Sequence, residues 1–313
     1  MIFFDYLTLS APLFGVVLAG YAVARLRFWR RHWTELASKL VFAIPLPALL
    51  FHMLSASRSA LTVDPRLLIA FFGGCLIVFV IGRLVASWLF QLDGVGQSVF
   101  ALGGIFSNNV LLGVPLARMT LGPAAVPCVA LILVFNALTL WSLVTVSVEW
   151  ARHGELSAHG LRKTLRSVLT NPIILAILSG TLFGLSGLEL PPLVEHGLSL
   201  VGRLAGPLAL LVLGMGISHY GVRSGLRHSI AICVLKLVVQ PVLVWGLAVA
   251  LGLPFLERQV VLLLGSLSVG ANVYLMSTQF ETLESAVASS LVLSTVLAAV
   301  TTPLLLAISA AIG

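Results

Sequence analysis

The chain has 313 residues, of which 59% are hydrophobic and only 9% are charged, and its mean hydropathy is +1.10. Soluble domains carry about 25% charged residues, so this composition excludes a soluble globular protein and predicts a polytopic membrane protein. The formal net charge of +7 does not indicate a nucleic-acid partner, because basic residues in membrane proteins mainly set the orientation of the spans.

Ten helical membrane spans are predicted, each with about 20 mainly apolar residues. In chain order they lie near 6–24, 36–55, 67–89, 97–117, 124–148, 168–187, 198–217, 229–251, 258–278 and 285–311. We expect the first span to be retained, because residues 1–6 lack the basic region of a signal peptide. The sequence therefore predicts a multi-pass protein of the cell (inner) membrane.

The connections between these spans alternate in charge. Basic residues gather in the first, fifth and seventh connections, namely Arg25, Arg27, Arg30, Arg31 and Lys39; Arg152, Arg162, Lys163 and Arg166; and Arg223 and Arg227. The sixth connection contains Glu189 and Glu195 but no Lys or Arg. Because basic connections stay in the cytoplasm, we expect those three connections inside and both termini outside.

A repeat with an offset of 162 residues relates the two halves of the chain. The offset superimposes residues of the same type, namely Pro45 and Pro207, Gln97 and Gln259, and Gly103 and Gly265. Each half contains five predicted spans, and an odd number of spans inverts the second half relative to the first. We therefore predict an all-α fold of two inverted five-helix repeats, residues 1–150 and 168–313, joined by a cytoplasmic loop, 151–167.

Polar, helix-breaking clusters interrupt the fourth and ninth spans at matching places. The first cluster follows Ser107 and the second follows Ser268. We expect Pro115 to disfavour helix at Val114. Backbone freed from a helix at bilayer depth must line a cavity or lie buried in protein. Helices 4 and 9 are therefore predicted to be broken and to cross at a substrate site between the repeats.

The residue types in these spans favour an anionic substrate. The N-termini of half-helices attract anions, and Asn amides both donate and accept hydrogen bonds. No Asp or Glu lies deep in a predicted span, whereas Lys236 does, and Lys236 can either bind substrate or donate to carbonyl groups at a break. The predicted substrate-binding residues are Asn108, Asn109, Asn272, Tyr274 and Lys236, and the predicted hinge residues are Gly113, Pro115, Gly270 and Ala271.

Other polar residues of the spans have structural interpretations. Asn136 is expected to form a hydrogen bond between helices, and Arg83 and Arg203 are expected to extend toward the membrane surface. The cysteines have no metal-ligand spacing and are interpreted as small core residues, namely Cys75, Cys128 and Cys233. No catalytic residue, cofactor or metal site is predicted.

The run Ser107–Ala117 resembles the fourth-span crossover motif of the auxin efflux carrier family, which includes bacterial malonate-type carriers and plant auxin exporters. The segments Lys236–Pro241 and Gly270–Gln279 resemble its eighth and ninth spans. The resemblance implies ten helices in two inverted repeats, with a scaffold of spans one, two, six and seven and a moving domain of the others. It also implies transport of organic acid anions. The second break departs from the family pattern because it contains no proline.

The resulting hypothesis is a secondary transporter that moves a small organic anion, a carboxylate, by alternating access. An alternative is a sodium-coupled symporter of related, bile-acid-transporter-like architecture, since Asn108, Asn109 and Ser268 can also coordinate a sodium ion. A passive channel is a further alternative. An intramembrane enzyme is disfavoured by the absence of deep carboxylates, and a primary pump by the absence of a glycine-rich phosphate loop. The predicted partners are the anion and the lipid bilayer, and a homodimer is left open.

Overall fold

The computed structural model describes residues 2–26, 29–56, 64–153, 170, 172–219 and 225–312, which form helices joined by short connections. In chain order the α-helices are α1 (Ile2–Ala24), α2 (Arg31–Ala43), α3 (Pro45–Ser55), α4 (Arg66–Trp88), α5 (Gly94–Ile105), α6 (Val114–Thr120), α7 (Val126–His153), α8 (Pro172–Ser186), α9 (Pro192–Ser218), α10 (Leu226–Val234), α11 (Gln240–Ala250), α12 (Phe255–Ser266), α13 (Ala271–Gln279) and α14 (Glu284–Ile312). Arg27, Arg223, residues 154–167 of the predicted loop and residues 168, 169 and 171 of the predicted sixth span lie outside the described residues.

Among the residues that the structure describes, six helical segments are long and apolar enough to cross a membrane, and shorter apolar helices accompany them. The six are Phe4–Ala24, Arg31–Ser55, Arg66–Trp88, Pro192–Ser218, Leu226–Ala250 and Glu284–Ile312. Large apolar side chains lie exposed on their outer faces, as at Leu18, Leu204 and Val296. Extensive apolar exposure suits lipid rather than water. The all-helical, polytopic membrane class predicted from composition is confirmed.

The helices pack in two groups. α1, α2, α3, α8 and α9 pack mainly on one another, whereas α4, α5, α7, α10, α11 and α12 form the second group together with α14, which also packs extensively on α1. The first group corresponds to predicted spans one, two, six and seven. Within it, α1 and α9 are in backbone contact: a Cβ atom on Gly20 would meet the carbonyl group of Leu211, and one on Gly214 would meet that of Val17. Glycine at both positions therefore permits this close packing.

The helices in predicted spans four and nine are both interrupted. α5 ends at Ile105, and the backbone is extended at Phe106, with φ −86° and ψ 103°. α12 ends at Ser266, and the backbone is extended at Leu267, with φ −67° and ψ 163°. α13 then begins at Ala271. Residues 106–108 and 267–270, called here the first and second breaks, thus separate half-helices.

Two π-helical turns, Asn109–Gly113 and Leu235–Val239, each end two residues before a proline. A proline has no N–H group, and its ring crowds the carbonyl group four residues earlier. The π turn widens the helix, because its hydrogen bonds reach back five residues, and this geometry accommodates the ring. Val114 is helical, with φ −61° and ψ −51°, so the expectation that Pro115 disfavours helix at Val114 is wrong.

Candidate functional site

The two breaks contact each other through their backbones, where an isolated antiparallel bridge forms. Asn108 N–H donates to the carbonyl oxygen of Ser268 at 3.0 Å, and Gly270 N–H donates to that of Phe106 at 2.8 Å. The two donors are 162 residues apart in the sequence, and so are the two acceptors. The contact therefore has a local two-fold symmetry that follows the sequence repeat.

Gly270 is required by the close approach of the two breaks. A Cβ atom at this position would lie 2.9 Å from Cδ1 of the Phe106 ring and 3.1 Å from the carbonyl oxygen of Ser107. Its φ of −78° is open to any residue, so the restriction comes from the neighbouring backbone and not from its own conformation. A larger residue here would separate the breaks.

A cavity of about 640 Å³ lies against the two breaks. Six of the predicted site residues line it, namely Asn108, Asn109, Gly270, Ala271, Asn272 and Tyr274. The predicted hinge residues Gly113 and Pro115 do not line it, and neither does Lys236. A volume of roughly 300–1,000 Å³ is typical of small-molecule sites, so the cavity has room for a small organic solute.

Polar side chains at the breaks are buried with unused hydrogen-bonding capacity. Within the described part of the chain, four such atoms in or directly after the breaks have no hydrogen-bond partner: Ser107 Oγ, Asn108 Nδ2, Asn109 Oδ1 and Ser268 Oγ. Unpaired buried polar atoms are rare in folded proteins and call for an explanation such as a ligand or an ion. Ser107, Asn108 and Asn109 line the cavity and supply donors as well as acceptors, so a solute with oxygen atoms and a hydroxyl group can satisfy them, whereas Ser268 does not line it.

The start of α13 adds backbone donors to this site. Gly270 precedes the helix without a side-chain cap, and Ala271 and Asn272 form its first turn beside the cavity. The first N–H groups of a helix have no intrahelical acceptor and carry partial positive charge. These groups and the Asn272 amide together form a suitable anion-binding arrangement.

Asn136 of α7 completes the polar lining. Asn109 Nδ2 donates to Asn136 Oδ1 at 3.4 Å, which is a weak hydrogen bond between two segments. The interhelical bond expected for Asn136 is confirmed, and the residue also lines the cavity. Sequence reasoning missed this second role, because a single Asn in an apolar span carries no sign of which neighbour it faces.

The far end of the cavity is lined by charged residues of α2 and by His219, which follows α9. Lys39 and Arg31 contribute positive charge, and Glu35 pairs with Arg31 at 3.1 Å. His219 Nε2 lies 2.9 Å from Oγ1 of Thr34. Burial, together with the positive charge of Arg31, lowers the pKa of His219 and so favours its neutral form. The mouth of the cavity is therefore basic overall.

Lys236 and Gln240 bind carbonyl groups at the ends of the two helices that precede the breaks. Lys236 is fully buried, and its Nζ donates to the carbonyl oxygen of Gly265 at 2.6 Å. Gln240 is also fully buried, and its Nε2 donates to the carbonyl oxygen of Ile105 at 2.9 Å. The sequence left two roles open for Lys236, substrate binding and donation to carbonyl groups near a break. The structure shows a contact of the second kind.

α14 holds the second break from another side. Thr302 Oγ1 donates to the carbonyl oxygen of Ser266 at 2.9 Å, and Ser294 Oγ accepts from Val269 N–H at 3.0 Å. Sequence reasoning missed these residues and Gln240. The available signal was a polar residue facing inward in an apolar span, which does not reveal its partner.

The cysteines are free and buried, which confirms their interpretation as core residues: Cys75, Cys128 and Cys233. Among the described residues, no three His, Cys, Asp or Glu side chains are grouped so that they could hold a metal ion. Next to the breaks, the cavity is lined by side-chain amides, a hydroxyl group and the backbone at the start of α13.

The sequence model of the family described as "Membrane transport protein" matches residues 6–306 of this chain. A Rhizobium meliloti (strain 1021) protein named "Putative malonate transporter" is 23% identical over 299 residues, which cover 94% of this chain and 92% of that protein. An uncharacterized transporter of Methanocaldococcus jannaschii is 23% identical over 288 residues, which cover 90% of this chain and 91% of its own length.

The family match extends over nearly the whole chain and includes both breaks and the cavity lining. It confirms the resemblance that was based on the Ser107–Ala117 motif, and it points to a transporter rather than an enzyme. The chain belongs to the membrane transport protein family, the family of the auxin efflux carriers.

Proposed function

We propose that this protein is a secondary transporter which moves a small organic anion, a carboxylate, across the membrane by alternating access. The observation that carries the proposal is the pair of hydrogen-bonded breaks beside a cavity, with unpaired amide and hydroxyl atoms of Ser107, Asn108 and Asn109. Broken helices that meet at mid-membrane are the usual substrate sites of secondary transporters.

The substrate carboxylate binds at the start of α13, between the amides of Asn109 and Asn272. The first-turn N–H groups of that helix attract negative charge, and the Asn amides donate hydrogen bonds to carboxylate oxygens. Tyr274 contributes to the same wall. No aspartate or glutamate lines the cavity near the breaks in the described chain, so a carboxylate meets no repulsion there.

The fold proposed for this function has ten membrane helices in two inverted five-helix repeats, residues 1–150 and 168–313. The symmetric pair of backbone hydrogen bonds between the breaks supports this assignment, because both donors and acceptors follow the 162-residue offset. Inverted repeats provide two related arrangements of the same contacts, which is the basis of alternating access.

The two packing groups supply the moving parts. The group of α1, α2, α3, α8 and α9 acts as scaffold, and the group that carries both breaks moves against it. Gly270 and Ala271, which line the cavity, and Gly113 and Pro115, which do not, act as hinge residues. The cavity runs from the breaks to the basic residues Arg31 and Lys39, which the positive-inside rule places in the cytoplasm. On this proposal the cavity opens to the cytoplasm and both termini lie outside.

Counterflow in proteoliposomes tests the proposed function. Purified protein is reconstituted with unlabelled malonate inside, and uptake of labelled malonate is followed, because a relative carries a malonate name. Malonamide, a neutral molecule of similar shape, is the matched control, and a monocarboxylate such as lactate is a second substrate. We expect carboxylate exchange and no malonamide exchange.

Three results would change this assignment. Equal uptake of malonate and malonamide would contradict anion recognition. No counterflow with any carboxylate would contradict organic-anion transport. Uptake that disappears when sodium is replaced by potassium would favour the sodium-coupled symporter, whereas unchanged uptake removes that alternative.

A further inference from the structure

We infer that Lys236 and Gln240 are positioning residues that together hold the ends of both broken helices in place. Lys236 contacts the carbonyl group of Gly265, near the end of α12, and Gln240 contacts that of Ile105, the last residue of α5. The inference rests on the proposed function only for its consequence for transport. The positioning itself is a property of the protein without substrate.

The two contacts come from one short segment. Lys236 and Gln240 are four residues apart, in and directly after the π-helical turn Leu235–Val239. Residues at this spacing lie on the same side of a helix, here the side that faces α5 and α12. A single segment thus reaches the carboxyl-terminal ends of the half-helices before both breaks.

These ends need such partners. The last carbonyl groups of a helix have no intrahelical donor and carry partial negative charge. Both Ile105 and Gly265 are buried, so water does not replace the missing donors. An unsatisfied buried carbonyl group is unfavourable by several kcal/mol in a membrane interior. Lys236 and Gln240 supply the donors and fix the positions from which the breaks start.

The segment has no polar counterpart in the first half of the chain. The positions 162 residues earlier are Gly74 and Val78 of α4, which cannot donate from a side chain. The backbone contact between the breaks is symmetric. The side-chain donors that hold the ends of both broken helices, in contrast, come from a segment in the second half only. The second half of the protein holds both breaks, which gives the eighth predicted span a role beyond packing.

The arrangement also separates Lys236 from the anion. Its amino group is directed to a backbone carbonyl group, and the residue does not line the cavity. Its effect on substrate is consequently indirect, through the geometry of Ala271 and Asn272, which follow the second break.

Hydrogen–deuterium exchange of the substrate-free protein tests this inference. The variants are Lys236→Met and Gln240→Met, which keep an unbranched apolar side chain but remove the donor. The matched control is Gln259→Met, because Gln259 is equally buried but donates to Ser309 and not to a break. Peptides that contain Asn108 and Gly270 report on the two bridging amides.

We expect each of the two test variants to accelerate exchange at the breaks by about tenfold, and the control to leave the breaks near wild-type rates. Lys236→Gln, which keeps a shorter amide donor, is expected to give rates closer to wild type than Lys236→Met. Malonate counterflow by the same variants should slow in the order of their exchange rates.

Unchanged exchange at both breaks in Lys236→Met and Gln240→Met would overturn the inference. So would equal acceleration in the Gln259→Met control. If Lys236→Met does not fold, the exchange rates of Gln240→Met decide the test, since this variant removes the contact to the end of the helix before the first break. Because exchange needs no substrate, a failed transport assay would count against the proposed function and leave this test intact.

Discussion

At the scale of single residues, the site depends on amides placed where helices stop. Asn108 and Asn109 are almost completely buried, at 6% and 2% exposure, yet each keeps an unpaired amide atom. A purely structural amide in a core would have both groups satisfied. A bound carboxylate oxygen would accept from Asn108 Nδ2, whereas Asn109 Oδ1 requires a donor from the substrate, such as a hydroxyl group.

Removal of a site amide should therefore abolish most transport. We expect Asn109→Ala and Asn272→Ala each to lower the rate of counterflow by about 10- to 100-fold, because each loses a hydrogen bond to a charged ligand. Membrane insertion and the thermal midpoint should change little. Near-normal transport in both variants would show that these amides only hold helices together.

Gly270 gives a prediction about stability. We expect Gly270→Ala to lower the free energy of unfolding by about 1–3 kcal/mol, since its methyl group would clash with the Phe106 ring and the Ser107 carbonyl oxygen. The matched control is Gly216→Ala, which lines the same cavity but has open space at its Cβ position. Thermal unfolding followed by intrinsic fluorescence measures both, and equal midpoints would argue against the close contact.

At the scale of elements, the structure shows why some positions could be predicted and others could not. Asn108, Asn109 and Asn272 stand out in apolar spans, so the sequence alone located the cavity lining. The point of interruption did not follow from Gly113 and Pro115, because a π-helical turn accommodates the proline and the break lies earlier. Tertiary pairing between the breaks, rather than local propensity, sets where the helices end.

The contacts that Lys236 and Gln240 make with the ends of the broken helices could also not be predicted from the local sequence pattern. Gln240 binds a carbonyl group 135 residues earlier in the chain, and Lys236 one that lies 29 residues later. Neither partner has a side-chain signal, because each acceptor is a backbone oxygen. Such contacts appear only when the packing of the helices is known.

Disulfide cross-linking tests the pairing of the two breaks. In a chain with its native cysteines replaced by alanine, Ser107→Cys combined with Val269→Cys should oxidise readily. Bridged antiparallel residues have Cα atoms about 4.5–5.5 Å apart, within the range of a disulfide.

The control for this experiment pairs Ser107→Cys with Phe255→Cys. Phe255 begins α12, roughly 16 Å along the helix from its last residue, so that pair should remain reduced. Equal cross-linking of the two pairs, or none in either, would contradict the contact.

At the scale of the whole molecule, charge is distributed unevenly along the cavity. Lys39 and Arg31 lie at its mouth, whereas amides and N–H groups lie at its base. Positive potential at a mouth concentrates anions and raises their rate of entry. Long-range attraction of this kind is screened by salt, with a Debye length of about 10 Å at 0.1 M.

We therefore expect Lys39→Gln to raise the KM for the anion by about two- to tenfold at low ionic strength and to leave the maximal rate unchanged. The effect on KM should become smaller as salt is added. Transport is measured from the face on which the cavity opens. Arg203→Gln, the same charge change on α9 away from the cavity, is the control. A KM effect that is independent of salt would rule out steering.

The position of a bound anion is a direct test of the proposed carboxylate site. Crystals grown with a brominated carboxylate would give an anomalous signal that marks the ligand. We predict a bromine peak inside the cavity, with the carboxylate at the first turn of α13 and within hydrogen-bonding distance of Asn109 and Asn272. A peak outside this cavity, or density in which helix runs unbroken through residues 106–108 and 267–270, would contradict it.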